Sequence, residues 1–261
     1  MGRLERLKQK LQTGAPVLCT TMANLPWSGV IEKAAAFDFD LMMFDLEHGI
    51  LSVESAEELL RVCRLCDLPS VVRVPDSVPN LISKCLDMGA DGILLPRVER
   101  MEQVETAIRA SKYAPLGRKG CGGFSNFRPE DRGSVEVYNE NRMLFVQMES
   151  KEGLAVLPEI LKTYGSLLSG VLIGPYDASI MVGTPLDIAS APMLDFIRQV
   201  FQLSREAGVS CGSFVDSADL LGRYRDLGAN IYWTGTDISL LCEAYGNLTS
   251  CFRREFGEGR P

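Results

Sequence analysis

Residues 40–49 read DLMMFDLEHG, an apolar run that ends in charged and polar side chains. Residues 70–75 (SVVRVP) and 143–149 (MLFVQME) repeat the pattern, with Arg73 and Glu149 at the ends of their apolar runs. A short and nearly continuous apolar run is typical of a parallel strand that is covered on both faces. Because active sites lie at the carboxyl ends of such strands, the polar endings predict a functional edge.

Runs of this kind occur eight times in the 261-residue chain, and stretches with helical periodicity separate them. Eight strand–helix units predict an α/β protein of the (β/α)8 barrel class, a TIM barrel. A doubly wound sheet is the alternative, but the Gly-rich first turn that it normally carries is absent after Thr21. The predicted strands are Pro16–Thr21, Asp40–Asp45, Ser70–Val74, Gly92–Pro96, Met143–Glu149, Gly170–Gly174, Ser210–Phe214 and Asn230–Thr234.

No linker or shift in composition divides the chain, so we expect residues 1–261 to form one domain. Within it, the sequence predicts an N-terminal helical extension at 1–14 and a C-terminal helix at 238–256. Residues 114–141 are rich in Gly, Arg and Asn and form the one irregular insertion. A loop of this length in a compact domain is usually functional or an assembly surface.

The composition excludes several classes of protein. A hydrophobic fraction of 46% excludes a disordered chain, and a net charge of −7 argues against a nucleic-acid-binding protein. No stretch approaches the roughly 20 apolar residues of a membrane-spanning helix, and the polar N-terminus lacks the core of a signal peptide. We therefore expect a cytoplasmic protein, in which the eight scattered cysteines stay reduced.

Two strand endings carry the residues for proton transfer and anion binding. His48 is the only histidine, and a histidine with a pKa near ~6.5 is suited to acid–base chemistry at neutral pH. Arg73, at the end of a buried strand, needs an anionic partner. It is predicted to bind a substrate carboxylate or to stabilise an oxyanion that develops during the reaction.

Carboxylates at neighbouring strand ends predict a metal site. Glu149 and Asp177 offer oxygen ligands, which suit Mg2+ or Mn2+, with Co2+ as a further candidate. Asp45 and Glu47 could hold waters of that ion or orient His48. The alternative for each carboxylate is a helix N-cap or a surface ion pair. No lysine lies in a predicted strand, which disfavours Schiff-base chemistry.

The order and spacing of these segments resemble the HpcH/HpaI family of metal-dependent pyruvate aldolases, from about Ala15 to Phe256. The family's acid–base histidine corresponds to His48 and its transition-state arginine to Arg73. An aspartate that raises the basicity of the histidine corresponds to Asp87. Its position late in a helix points away from the functional edge, so we expect it to reach His48 only across a subunit contact. The segments that carry the resemblance are 39–48, 71–75, 84–90, 113–120, 146–149 and 173–179.

The resemblance also implies ligands and an assembly. The metal-binding carboxylates correspond to Glu149 and Asp177, and the substrate contacts to Gln147, Asp177 and the backbone of Tyr176. Members of the family form hexamers built from dimers that exchange their C-terminal helices, which would be 238–256 here.

The implied reaction is reversible aldol cleavage of a 4-hydroxy-2-oxo acid into pyruvate and an aldehyde, through an enolate that the metal stabilises. Within the family, the alternative is an enzyme that condenses oxaloacetate or another 2-oxo acid with acetyl-CoA. In a different class, the alternative is a non-catalytic barrel that senses an oxo acid. The presence of His48, Arg73, Glu149 and Asp177 together disfavours that alternative.

Overall fold

The computed structural model describes residues 1–122, 127–131 and 133–257, and part of the predicted insertion lies outside these ranges. Eight parallel strands pair in chain order and close into a barrel, which confirms the predicted (β/α)8 fold. The strands are β1 (Val17–Met22), β2 (Leu41–Asp45), β3 (Ser70–Arg73), β4 (Gly92–Leu95), β5 (Met143–Met148), β6 (Gly170–Ile173), β7 (Cys211–Val215) and β8 (Ile231–Thr236).

Helices surround the barrel and connect its strands. Their apolar faces form the larger hydrophobic core, between the helices and the outer face of the sheet. Among the described residues, no helix combines the length and apolar character needed to cross a membrane. The helices are α1 (Arg3–Thr13), α2 (Ser28–Ala36), α3 (Val53–Leu65), α4 (Pro79–Asp87), α5 (Met101–Ser111), α6 (Val135–Asn141), α7 (Lys151–Tyr164), α8 (Pro175–Val182), α9 (Ala191–Glu206), α10 (Ala218–Asp226) and α11 (Asp237–Phe256).

A second, smaller core fills the interior of the barrel. It contains the inward-facing side chains of the strands, including Phe145 and Ile231, which are fully buried. Leu4, Leu7 and Leu11 of α1 belong to the same cluster. The N-terminal helix therefore contributes its apolar face to the barrel interior, which leaves the opposite, carboxyl end of the strands for a site.

The structure differs from the sequence prediction in two helices. The insertion at 114–141 is not irregular throughout, because it contains α6, whose first turn is capped by the hydroxyl of Ser134. A buried ion pair of 2.7 Å between Arg142 and Asp131 holds this segment. After β6, the chain forms a short helix, α8, that the periodicity does not predict, and Asp177 lies in its first turn. Both helices are short, which gives a periodic pattern too little length to stand out.

Asp237, the first residue of α11, links the last strand of the barrel, β8, to the loop that follows the first strand, β1. The Asp237 carboxylate is 7% exposed, and its Oδ2 accepts hydrogen bonds from the backbone N–H groups of Ala23, Asn24 and Leu25, at 3.1, 2.9 and 2.6 Å. These three groups lie in the loop after β1. One buried carboxylate thus organises the loop beside β8.

We expect Asp237→Ala to lower the free energy of unfolding by about 1–3 kcal/mol, because it leaves buried backbone donors without an acceptor. Urea denaturation at fixed protein concentration measures the change. Asp226→Ala is the matched control, since Asp226 pairs with the neighbouring arginine and its side chain is 69% exposed. Equal losses in the two variants would contradict this role.

Candidate active site

A cavity of about 260 Å³ opens at the carboxyl ends of the strands. It is lined by two layers of inward-facing side chains, as the alternation of strands in such barrels requires. The floor takes one apolar side chain from each even-numbered strand: Met43, Leu94, Leu172 and Trp233. The layer above takes one side chain from each odd-numbered strand: Thr21, Arg73, Gln147 and Phe214.

Asp45 and Arg73 form the ion pair at the centre of this site. They are register partners at the ends of β2 and β3. Arg73 Nε and Nη2 donate to Asp45 Oδ1 and Oδ2 at 2.9 and 2.6 Å. The side chains are 14% and 4% exposed, so this bidentate pair is largely shielded from water. Asp45 thereby fixes the guanidinium and leaves Nη1 outside this pair.

The same aspartate positions the turn that carries His48. Asp45 Oδ1 accepts from the backbone N–H groups of Glu47 and His48 at 3.0 and 3.2 Å. The turn closes at Gly49, whose φ of 94° favours glycine and whose added Cβ would overlap Ala23 O. The His48 ring lines the cavity and is 59% exposed, with Nε2 3.9 Å from Glu47 Oε2.

Glu47 is surrounded by cations, one of which the sequence reasoning missed. Its carboxylate is 4% exposed and lies 3.5 Å from Arg73 Nε and 3.1 Å from Arg97 Nη2. Burial raises the pKa of Glu47, while Arg73, His48 and Arg97 act in the opposite direction. Arg97 follows β4 with a φ of 46°. The rule that identified the other residues, a polar side chain after an apolar strand, could have identified it too.

Glu149 directly follows β5, and Asp177 lies in the first turn of α8, after the neighbouring strand β6. Asp177 lines the cavity, whereas Glu149 is not among its lining residues. Glu149 is 4% exposed, and Gln147 Nε2 donates to its Oε1. A Cβ on Gly174 would overlap both of these atoms, so a larger residue after β6 would displace this pair of side chains. Burial, followed by the negative charges of Asp177 and Glu47, raises the pKa of Glu149 to about 7.

This pair fits a hard divalent cation. A cation would offset the repulsion between the two carboxylates, and carboxylate oxygens are the ligands that Mg2+ and Mn2+ prefer. Among the described residues, no three His, Cys, Asp or Glu side chains cluster closely enough to hold a metal. An ion at this pair would therefore take its remaining ligands from water or substrate, which leaves coordination positions open.

Of the two remaining residues from the sequence analysis, one lines the cavity and one does not. Asp87, at the end of α4, does not line the cavity, and its Oδ1 accepts from Lys119 Nζ at 2.5 Å. Its contact with His48 across a subunit interface stays a prediction. Tyr176 does line the cavity, and its phenol donates to Asp216 Oδ2 at 3.2 Å.

Known proteins resemble the chain in sequence and in structure. The family model described as HpcH/HpaI aldolase/citrate lyase matches residues 25–244. A hydroxypyruvate/pyruvate aldolase of Roseovarius nubinhibens is 32% identical over 83% of this chain and 87% of its own. A 2-keto-3-deoxy-L-rhamnonate aldolase of Escherichia coli K12 is 30% identical over 95% and 92%. The crystal structure of an HpcH/HpaI aldolase from Desulfitobacterium hafniense DCB-2 has a TM-score of 0.89 at 23% identity, covering 98% and 99% of the two chains, and shares the fold.

We expect Glu149→Gln to stabilise the metal-free protein at about pH 8 by roughly 1–3 kcal/mol. The folded state raises the pKa of this carboxyl to about 7, above its ordinary value of 4.5, so stability is lost as the pH rises and the group ionises. The difference in the free energy of unfolding between the variant and wild type should become smaller toward about pH 5, where Glu149 of the folded protein is protonated. Denaturation in the presence of a chelator measures it. Glu159→Gln, at an exposed position of α7, is the control, and a Glu149→Gln variant no more stable than wild type at either pH would refute the argument.

Proposed function

Because the chain belongs to the HpcH/HpaI aldolase/citrate lyase family, we propose that it is a carbon–carbon lyase. Its reaction is the reversible aldol cleavage of a 4-hydroxy-2-oxo acid into pyruvate and an aldehyde. The observation that carries the proposal is a buried arginine, Arg73, fixed by Asp45 in the same cavity as His48 and Asp177. The names of the two sequence relatives support an aldolase.

The proposal includes a divalent metal ion held by Glu149 and Asp177, with Mg2+ or Mn2+ preferred and Co2+ as a further candidate. The like charges of buried Glu149 and half-buried Asp177, together with their oxygen donors, support it. When bound, the ion supplies Lewis-acid polarisation of the 2-oxo acid.

The residues of the chain perform the remaining tasks. Gln147 and the backbone at Tyr176 would bind the 2-oxo acid, and the free donors of Arg73 would stabilise negative charge as it develops on the keto oxygen. His48 would accept the proton of the 4-hydroxyl group. The C3–C4 bond then breaks, its electron pair forms the enolate of pyruvate, and C4 leaves as the aldehyde carbonyl. His48 would then give this proton to C3, which completes the formation of pyruvate and returns the ring to its starting state.

A condensing enzyme that uses acetyl-CoA would need the same arginine and carboxylates. Both sequence relatives named above are aldolases, which favours cleavage over condensation.

The surface of α11 supports an oligomer, since Leu248 and Phe252 are 68% and 62% exposed in the single chain. We include in the proposal a hexamer in which 238–256 is exchanged between subunits, and a monomeric mass in solution would exclude it. The eight free cysteines suit a reducing compartment such as the cytoplasm.

Incubation with a panel of 4-hydroxy-2-oxo acids should release pyruvate, measured by a coupled lactate dehydrogenase assay. Removal of divalent ions with a chelator should abolish release, because the carboxylate pair alone repels a 2-oxo acid anion. Added Mg2+ or Mn2+ should restore it. Full activity in the chelated enzyme would exclude the metal-dependent reaction, and turnover of acetyl-CoA with oxaloacetate without any pyruvate release would favour the condensing alternative.

Arg73→Ala should lower kcat by about 100- to 1000-fold, as expected for the loss of one donor to a developing oxyanion. His48→Ala should lower turnover by about 100-fold or more, by removing the acid–base group. Exchange of the pyruvate methyl protons with solvent, which NMR monitors, tests both variants without an aldehyde. Arg109→Ala, which breaks an exposed pair on α5, is the control. Near-wild-type proton exchange in either site variant would contradict its assigned role, provided circular dichroism shows an intact fold.

A further inference from the structure

The cavity has two chemically different halves. The half formed by β2, β3, β5 and the start of α8 carries the ionic groups: Asp45, His48, Arg73 and Asp177. The half formed by β7, β8 and β1 carries Phe214, Trp233 and Thr21, with Tyr176 at its edge. We call the second half the aromatic wall. Tyr176 and Phe214 are in contact there, with ring centroids 6.0 Å apart.

The polar atoms of the aromatic wall are already engaged within the protein. The Trp233 indole N–H donates to Thr21 Oγ1. The neighbouring Ser213 hydroxyl donates to Ile173 O at 3.1 Å. Thr236 Oγ1 accepts from the N–H of Ser239 at 3.1 Å, in the cap of α11. A substrate group on this side therefore meets aromatic carbon, and its own polar atoms find few unused partners.

The charged residues that lie close to the aromatic wall along the chain are acidic. Asp216 accepts the phenolic hydrogen bond of Tyr176, and Asp177 lies one residue along α8. Asp237, at the end of β8, is used by the backbone of the loop after β1. The lining arginine, Arg73, lies on the ionic half. A carboxylate or phosphate against this wall would lose hydration without gaining a cation, which is unfavourable.

We infer that the aromatic wall binds the aldehyde part of the substrate and selects an uncharged, apolar aldehyde. This inference rests on the proposed function, since it assigns the 2-oxo acid to the ionic half. The aldehyde carbon would lie between His48 and the wall, with its alkyl or aryl substituent against Phe214 and Trp233. Aldehydes that end in a carboxylate or a phosphate, or that carry several hydroxyl groups, are disfavoured at the same position.

The test compares aldehydes of equal length in the condensation direction, with saturating pyruvate and Mg2+ or Mn2+. Butanal, succinic semialdehyde and erythrose each have four carbons and differ in charge and hydroxyl content. We expect kcat/KM for butanal to exceed that for each of the other two by about tenfold or more. Equal or higher kcat/KM for succinic semialdehyde or erythrose would overturn the inference.

A variant links the preference to the wall. Phe214→Ala should lower kcat/KM for butanal by about tenfold. It should also lower the ratio of kcat/KM for butanal to kcat/KM for succinic semialdehyde. Phe37→Ala is the control, since it removes a ring that is 76% exposed just after α2. It should change neither kcat/KM for butanal nor that ratio. An unchanged preference in folded Phe214→Ala would refute the role of the wall.

Pyruvate proton exchange in the same wild-type enzyme separates this inference from the proposed function. If pyruvate exchanges its protons but no apolar aldehyde reacts, the inference fails while the enolate chemistry survives. If exchange is absent with the metal supplied, the proposed function fails, and the assignment of the wall fails with it.

Discussion

The bidentate ion pair between Arg73 and Asp45 is the interaction on which the site depends. It joins the ends of two neighbouring strands, at 2.9 and 2.6 Å, in a place largely shielded from water. A buried guanidinium without a carboxylate would be strongly unfavourable, and so would the carboxylate alone. The same Asp45 also accepts from the backbone of the turn that carries His48, so one side chain orients both the Arg73 guanidinium and that turn.

Negative charge accumulates around this pair beyond what the arginines offset. Glu149 illustrates the consequence, because burial and the charges of Asp177 and Glu47 raise its pKa to about 7. A fold selected only for stability would avoid such a cluster, whereas a site for a divalent cation requires one. The repulsion is confined to the carboxyl ends of the strands, while α1 and the inner strand residues pack an entirely apolar core toward the other end.

The lining of the cavity changes in character around the barrel, within a single layer of side chains. Its floor is apolar on every even-numbered strand, and the layer above changes from Arg73 and Gln147 on one side to Phe214 and Thr21 on the other. In our proposal the oxo acid lies on the side with the cation, and the apolar aldehyde lies against the aromatic wall. The closed barrel brings both sides into one cavity of about 260 Å³.

Much of the fold and of the ionic half could be predicted from the sequence, because buried parallel strands are local apolar runs and their polar endings stand out. The eight runs, His48, Arg73, Glu149 and Asp177 are all visible in this way. Arg97 was missed although it follows β4 by the same rule, and α6 and α8 were missed because they are short. Only the tertiary structure decided that Asp45 holds Arg73, that Asp87 pairs with Lys119, and that Trp233 meets Thr21 across 212 residues of chain. Sequence patterns report which way a residue faces within its own strand, whereas its partners depend on barrel closure, which brings β8 beside β1.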